Sequence, residues 1–384
     1  MDNTFVHEDL NAVIRQHSEW LANQLHSQRE SLFPPDAEKT MRKFTSGEAA
    51  ALLGVNDSYL RKLNLDGKGP SPELTAGNRR LYSAQDIQAL RVLLEKTARK
   101  PGDYVPGRRE GDHLQVIGVM NFKGGSGKTT TSAHLAQRLA LRGYRVLGID
   151  LDPQASFTAL HGVQPELDLE NGGTLYDAIR YEDPEPIRHL IPGNLELMEF
   201  EHDTPRALAQ GNAGLFFFRV KEALAQVDED YDVVVIDCPP QLGFLTMSAL
   251  SAATGVLVTI HPEMLDVMSM SQFLRMTADL MDVIAESGAD MSHDWMRYVL
   301  TRYEPQDAPQ NRIVAFLRTM YGEAVLNSPM LKSTAISDAG LTKQTLYEVE
   351  RSAFTRSTYD RAIESLNTLN DEIAELIQKT WGRT

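Results

Sequence analysis

The run Lys123-Gly124-Gly125-Ser126-Gly127-Lys128-Thr129-Thr130 follows a mostly apolar stretch of strand length, residues 113–121, and leads into a helical pattern that continues to about Arg142. Strand, glycine-rich loop and helix in direct succession is the context that makes such a loop a phosphate cradle. Its glycines let backbone N–H groups curl toward phosphate oxygens, and the helix N-terminus adds positive potential. Lys128 then reaches the outer phosphates, and the Thr129 hydroxyl is placed for Mg2+. Gly124, Gly125, Ser126, Gly127, Lys128, Thr129 and Thr130 are the expected nucleotide contacts. A loop of this kind constrains the whole chain, because it needs a parallel sheet behind it.

Two acidic strand ends agree with that demand. Residues 145–152 read as a buried strand closing on Asp150 and Asp152, and residues 232–237 as an apolar strand closing on Asp237. At the carboxyl edge of a parallel sheet, where ligands bind, a carboxylate can orient an attacking water or a metal's shell. Further apolar strands are expected at 195–200, 255–260 and 296–301, separated by helical stretches. The expected fold class is α/β: a doubly wound, mostly parallel sheet over 113–384.

The 384 residues leave room for more than one domain. The net charge is -15, yet residues 39–109 hold 14 Lys/Arg against 7 Asp/Glu, a local +7 that leaves -22 elsewhere. Pro-rich breaks flank this basic stretch, so a separate module is expected at 37–100, with a linker at 101–112. Thr45-Ser46-Gly47-Glu48 fits a capping box, Gly54 a C-cap, and Asp57 the start of a second helix. A strand-like stretch follows around 67–70, then Gly77-Asn78-Arg79-Arg80-Leu81-Tyr82 as a wing, then a third helix from Ser83. The pattern resembles a MerR-like winged helix-turn-helix. That resemblance implies Tyr59, Arg61 and Lys62 in the major groove, and Arg79 and Arg80 on phosphates or in the minor groove. The other reading of these arginines is the solvated face of a protein-docking module.

Upstream, residues 1–36 contain a helix whose stripe of Leu10, Val13, Ile14, Leu21 and Leu25, with Trp20 beside it, needs a cover. It either packs on its own chain or pairs with its copy in a dimer. The single cysteine, Cys238, excludes an internal disulfide and a multi-Cys cluster, and nothing near Met1 reads as a signal peptide, so a cytoplasmic protein is expected. The ten histidines show no H-x-x-x-H spacing and none is expected as a metal ligand. Met264, Met268 and Met270 are expected in the core, and Phe216-Phe217-Phe218 as a plug between helix and sheet, with partner docking as the alternative.

The loop departs from the common phosphate-loop pattern, with Phe122 at the first glycine position and an extra lysine, Lys123, beside it. With the acidic strand ends, this resembles the deviant Walker A motif of the ParA family of partition ATPases. Residues 121–128, 194–207 and 331–340 are similar to the RepA branch found on repABC-type plasmids. The resemblance implies ATP or ADP with Mg2+, a sandwich homodimer in which Lys123 reaches the partner's phosphates, and Asp152 as the hydrolytic switch aspartate. It implies Thr129 and, through water, Asp237 on Mg2+. It also implies DNA as a partner both in the operator and nonspecifically on the nucleoid, and a centromere-binding ParB/RepB-type protein that stimulates hydrolysis. Arg302, Arg312, Arg318 and Lys332 are candidates for nonspecific DNA contact. The alternative is an ATP-sensing transcriptional regulator without a segregation role. A membrane-bound relative is disfavoured because residues 359–384 carry Asp360, Glu364, Asp371, Glu372 and Glu375 against Arg361, Lys379 and Arg383.

Overall fold

The computed structural model describes residues 9–32, 39, 41–163, 173–175, 190–191, 197, 217–286, 288 and 291–383, with only the backbone at 22, 25, 26, 28–32, 190 and 191. Two units result, Met1–Thr40 and Met41–Thr384. The first holds the expected helix, α1 (Leu10–Leu32), whose Leu10, Ile14, Trp20 and Leu21 are exposed; the Leu25 side chain lies outside the described residues.

Local capping chemistry dictates the start of the second unit. Strand β1 (Phe44–Thr45) runs into α2 (Ser46–Leu53), where the Thr45 hydroxyl accepts from the Glu48 N–H and the Glu48 carboxylate accepts from the Thr45 N–H. Gly54 closes that helix at φ +67, a left-handed conformation that favours glycine. Helix α3 (Asp57–Leu65) follows, then β2 (Glu73–Leu74), β3 (Arg80–Tyr82) and α4 (Ala84–Glu95), the last opened by a second capping box from Ser83 and Asp86. The three strands pair antiparallel in the order β1-β3-β2, making the wing. Residues 67–70 are not strand, since Gly67 and Gly69 sit at φ +65 and +88. The wing's turn lies at 75–78, so Arg79 stands just past the tip and Arg80 in β3. Leu53, Leu60, Leu63, Tyr82, Ile87, Leu90 and Leu94 are buried beneath it.

The larger sheet is parallel throughout among the described residues. Its strands are β4 (Gln115–Met120), β5 (Val146–Asp150), β6 (Leu190–Ile191), β7 (Val233–Asp237), β8 (Gly255–Ile260) and β9 (Trp295–Leu300), in the order β6-β5-β7-β4-β8-β9. Alternating side chains feed two cores, as the pleat requires: Val233 and Val235 point into one, Val234 and Ile236 into the other. Helices α5 (Lys128–Arg142), α6 (Ser156–Leu160), α7 (Arg219–Ala225), α8 (Phe244–Ala252), α9 (Met264–Glu286), α10 (Ala308–Tyr321), α11 (Thr334–Leu341) and α12 (Arg356–Thr380) accompany the sheet. The strand expected at 195–200 falls outside the described residues except Leu197, which is helical. Of the Phe216–218 plug, Phe217 is buried and Phe218 half-buried, and Phe216 lies outside the described residues. The expectation for the methionines holds only for Met270: Met264 and Met268 are 60% and 63% exposed because they lie on the outer face of α9.

The winged module is not a bead on a linker. Its buried side chains share one hydrophobic core with α5, α12 and a face of the sheet. Arg91 of α4 is buried and donates to the Leu141 carbonyl from Nε (3.1 Å) and Nη2 (2.8 Å), to Tyr104 O (3.1 Å) and to Leu52 O (2.5 Å). No carboxylate pairs with it among the described residues, and burial lowers its pKa to about 10, so the guanidinium remains charged at neutral pH. A cation suits this place, at the negative end of α5. Gly143 permits the approach, since a Cβ there would come within 2.8 Å of Arg91 Cδ. The expected linker is fastened along its length. Glu95 accepts N–H groups of Tyr104 (2.9 Å) and Val105 (3.0 Å), Asp232 accepts that of Arg108 (2.9 Å), and Arg383 donates to the carbonyls of Pro106 and Gly107, each at 3.0 Å.

Candidate nucleotide site and DNA-reading module

At the carboxyl edge of β4 the chain turns through Gly125 and Gly127 at φ +74 and +89 and enters α5 with no side-chain cap. The first-turn N–H groups therefore remain available to an anion. Gly127 is doubly constrained, because a Cβ would also press on Thr301 and Met330 at 3.3 Å. A cleft of about 470 Å³ opens here, lined by Gly124, Gly125, Gly127, Lys128, Thr129, Thr130 and Asp152, with residues of the 330–340 stretch opposite. Ser126 differs from expectation: it is buried, its hydroxyl accepts from Thr259 Oγ1 at 2.9 Å, and it does not line the cleft.

The Lys128 amine is buried and donates to the Lys123 carbonyl at 3.3 Å. Burial lowers its pKa, while Asp237, Cys238 and Asp152 pull the other way. Asp237, fully buried, accepts from Thr129 Oγ1 and from Ser132 Oγ, each at 2.8 Å. A threonine hydroxyl touching a strand-end carboxylate beneath a phosphate loop is a donor set suited to hydrated Mg2+. Asp152 is half-buried, lines the cleft and accepts from the Gln154 N–H at 3.0 Å; burial raises its pKa. Burial likewise pushes the Cys238 thiol up, which leaves it inert next to Asp237.

Lys123 is not among the residues lining this cleft, and its amine is ion-paired with the buried Asp266 at the start of α9. Sequence reasoning missed Asp266 and Ser132, and it named Arg302 only as a candidate DNA contact, whereas Arg302 lines the cleft. Arg302 takes φ +52 and donates to Gly125 O at 3.3 Å. Among the other C-terminal cations, Lys332 pairs with Glu304 at 2.8 Å and Arg318 donates to the carbonyls of Leu326 and Asn327, whereas Arg312 is exposed.

On the winged module Tyr59 is 42% exposed, and Lys62 and Arg79 are exposed. Arg61 is exposed but paired with Asp57 at 2.5 Å. Arg80 is half-buried, its Nε 3.4 Å from Asn64 Oδ1 on α3, so the wing and α3 are tied together. The five residues occur on two adjacent elements of one small fold.

Comparison with known proteins matches residues 114–287 to the AAA domain family described as AAA_31, and residues 44–97 to the MerR HTH family of regulatory proteins. The chain is 56% identical to "Putative replication protein A" of Rhizobium rhizogenes, over 97% of this chain and 96% of that one. It is 30% identical to SopA of Escherichia coli K12, over 82% of each. The chain belongs to the ParA family of partition ATPases. A solved structure described as a partition protein shares the fold, with a TM-score of 0.60 over 96% of this chain and 99% of that chain at 16% identity. As a ParA-family ATPase it combines the phosphate loop with a helix-turn-helix segment. Among its described residues no helix is long and apolar enough to cross a membrane.

Proposed function

We propose that the chain binds Mg-ATP in the 470 Å³ cleft, closes into a sandwich homodimer, holds DNA nonspecifically on the nucleoid, and hydrolyses ATP when a centromere-binding ParB/RepB-type protein engages it in the cytoplasm. The observation that carries the reading is the convergence of Lys128, Thr129 and Asp152 on one cleft, with Thr129 already on the carboxylate of the buried Asp237. Gly124, Gly125, Gly127 and Thr130, with the Ser126 backbone, cradle phosphate; Thr129 and, through water, Asp237 hold Mg2+; Asp152 orients the attacking water. Lys123 leaves Asp266 to reach the partner's phosphates, and the exposed stripe of α1 pairs with its copy in the dimer. The same chain represses its own operon through Tyr59, Arg61, Lys62, Arg79 and Arg80, where Arg61 must first leave Asp57.

The test compares wild type, Lys128→Ala and Asp152→Ala with ATP and with ADP, reading dimer mass by light scattering and DNA binding by anisotropy. Wild type dimerises and binds DNA with ATP only, Lys128→Ala does neither, and Asp152→Ala dimerises without hydrolysing. Hydrolysis at the wild-type rate in Asp152→Ala defeats the catalytic assignment. A regulator with no segregation role would show operator binding but no ATP-driven nonspecific binding.

A further inference from the structure

Asp150 is a carboxylate to which the site gives no task. It is fully buried at the end of β5, directly opposite Asp237 in the parallel pairing, and it does not line the cleft. Its hydrogen bonds run instead into the loop that carries Asp152. One oxygen accepts from the Asp152 N–H at 3.1 Å; the other accepts from the Thr158 N–H at 2.8 Å and from Thr158 Oγ1 at 2.6 Å. The carboxylate thus grips both ends of the 152–158 segment.

Packing also holds that segment, since Phe157 and Ala155 are buried and the Ala155 N–H donates to the Asp152 carbonyl at 2.9 Å. Helix α6 has five residues, too few to be stable unaided, and its N-cap residue, Ala155, supplies no side-chain bond and sits at φ 53. A non-glycine residue there is strained, and such a conformation persists only when its surroundings over-determine it. Asp150 provides that determination from outside the helix, doing for the third residue of α6 what an N-cap side chain does. For stability alone a buried carboxylate is an expensive device, since an apolar side chain of similar volume avoids its desolvation. Its three donors fix where Asp152 stands.

We infer that Asp150 is a positioning residue for hydrolysis, holding the Asp152 loop against the phosphate cleft without touching nucleotide. The inference rests on Asp152 being the hydrolytic aspartate. Asp150→Asn puts an amide donor where only acceptors fit, and a misplaced catalytic group lowers turnover by about 10- to 100-fold. Phosphate release should fall by that factor while the affinity for a fluorescent ADP analogue stays within about threefold of wild type and the ATP-dependent dimer persists longer, as in Asp152→Ala. Thr158→Val should shift turnover the same way by less, and Thr158→Ser, which keeps the hydroxyl, should restore it. These variants also keep the idea testable if Asp150→Asn fails to fold. Wild-type turnover in both Asp150→Asn and Thr158→Val overturns the inference, as does a loss of ADP affinity and dimer in proportion to turnover. If Asp152→Ala itself hydrolyses normally, the reading of the site falls first and this inference falls with it.

Discussion

The phosphate cleft and the winged module both work through cations and dispose of them in opposite ways. Lys128 is 6% exposed, and its charge is held by the buried Asp237 at the end of β7, by Asp152 just past β5 and by the Lys123 carbonyl of the loop itself. Lys62 and Arg79 stand in solvent with no side-chain partner among the described residues. A buried charge has its energy set by the whole fold, so removing one partner disables the site. Exposed charges facing DNA act nearly one at a time, each neutralising a phosphate and releasing a counterion.

The sharpest way to break this contrast is Lys128→Ala. Turnover measured by phosphate release should drop about 10³-fold, the scale of losing a preorganised charge aimed at the reacting phosphate. A loss below tenfold would put the buried site on the footing of the exposed one.

Next comes His134, nearly two turns along the same helix. Its ring nitrogens meet Thr130 O at 2.7 Å and the Leu346 N–H at 3.1 Å, which suits the neutral ring with the proton on Nδ1, and burial pushes its pKa down to about 4. The unfolded chain binds that proton near pH 6.5, so between 6.5 and 4 it holds more protons than the folded one and stability falls as pH falls. Denaturant titrations at pH 7 and pH 4 should differ by about 3 kcal/mol through this residue, a component missing in His134→Gln.

Arg91 crosses the line between the two regions, a buried cation within the exposed module. Arg91→Met should cost about 2 kcal/mol of stability by leaving carbonyls of Leu141, Leu52 and Tyr104 short of donors, seen as a lower melting temperature. The smallest effect is at the surface. Arg79→Ala with Arg80→Ala should weaken binding to the chain's own promoter about tenfold, lower the salt slope by about 1 for each phosphate no longer neutralised, and leave ATP hydrolysis unchanged. Unchanged promoter affinity would return the module to a protein-docking role.

What was legible in the chain was whatever is decided within a few residues. The phosphate loop, the capping box at Thr45, the helix start at Ser83, the left-handed Gly54 and the acidic ends of β5 and β7 all stand where the local pattern puts them. Each is a short-range matter of backbone donors, glycine torsions or apolar runs, for which neighbours in the chain are neighbours in space. The folded arrangement added the pairs that meet across long separations: Lys123 with Asp266, Arg91 with the end of α5, and Arg383 with the strap at 106–107. It also turned Met264 and Met268 outward and Ser126 inward, because helix spacing shows which residues share a face but not which face the sheet covers. Those outcomes depend on which surfaces pack together, and packing is a property of the whole core, not of any segment of it.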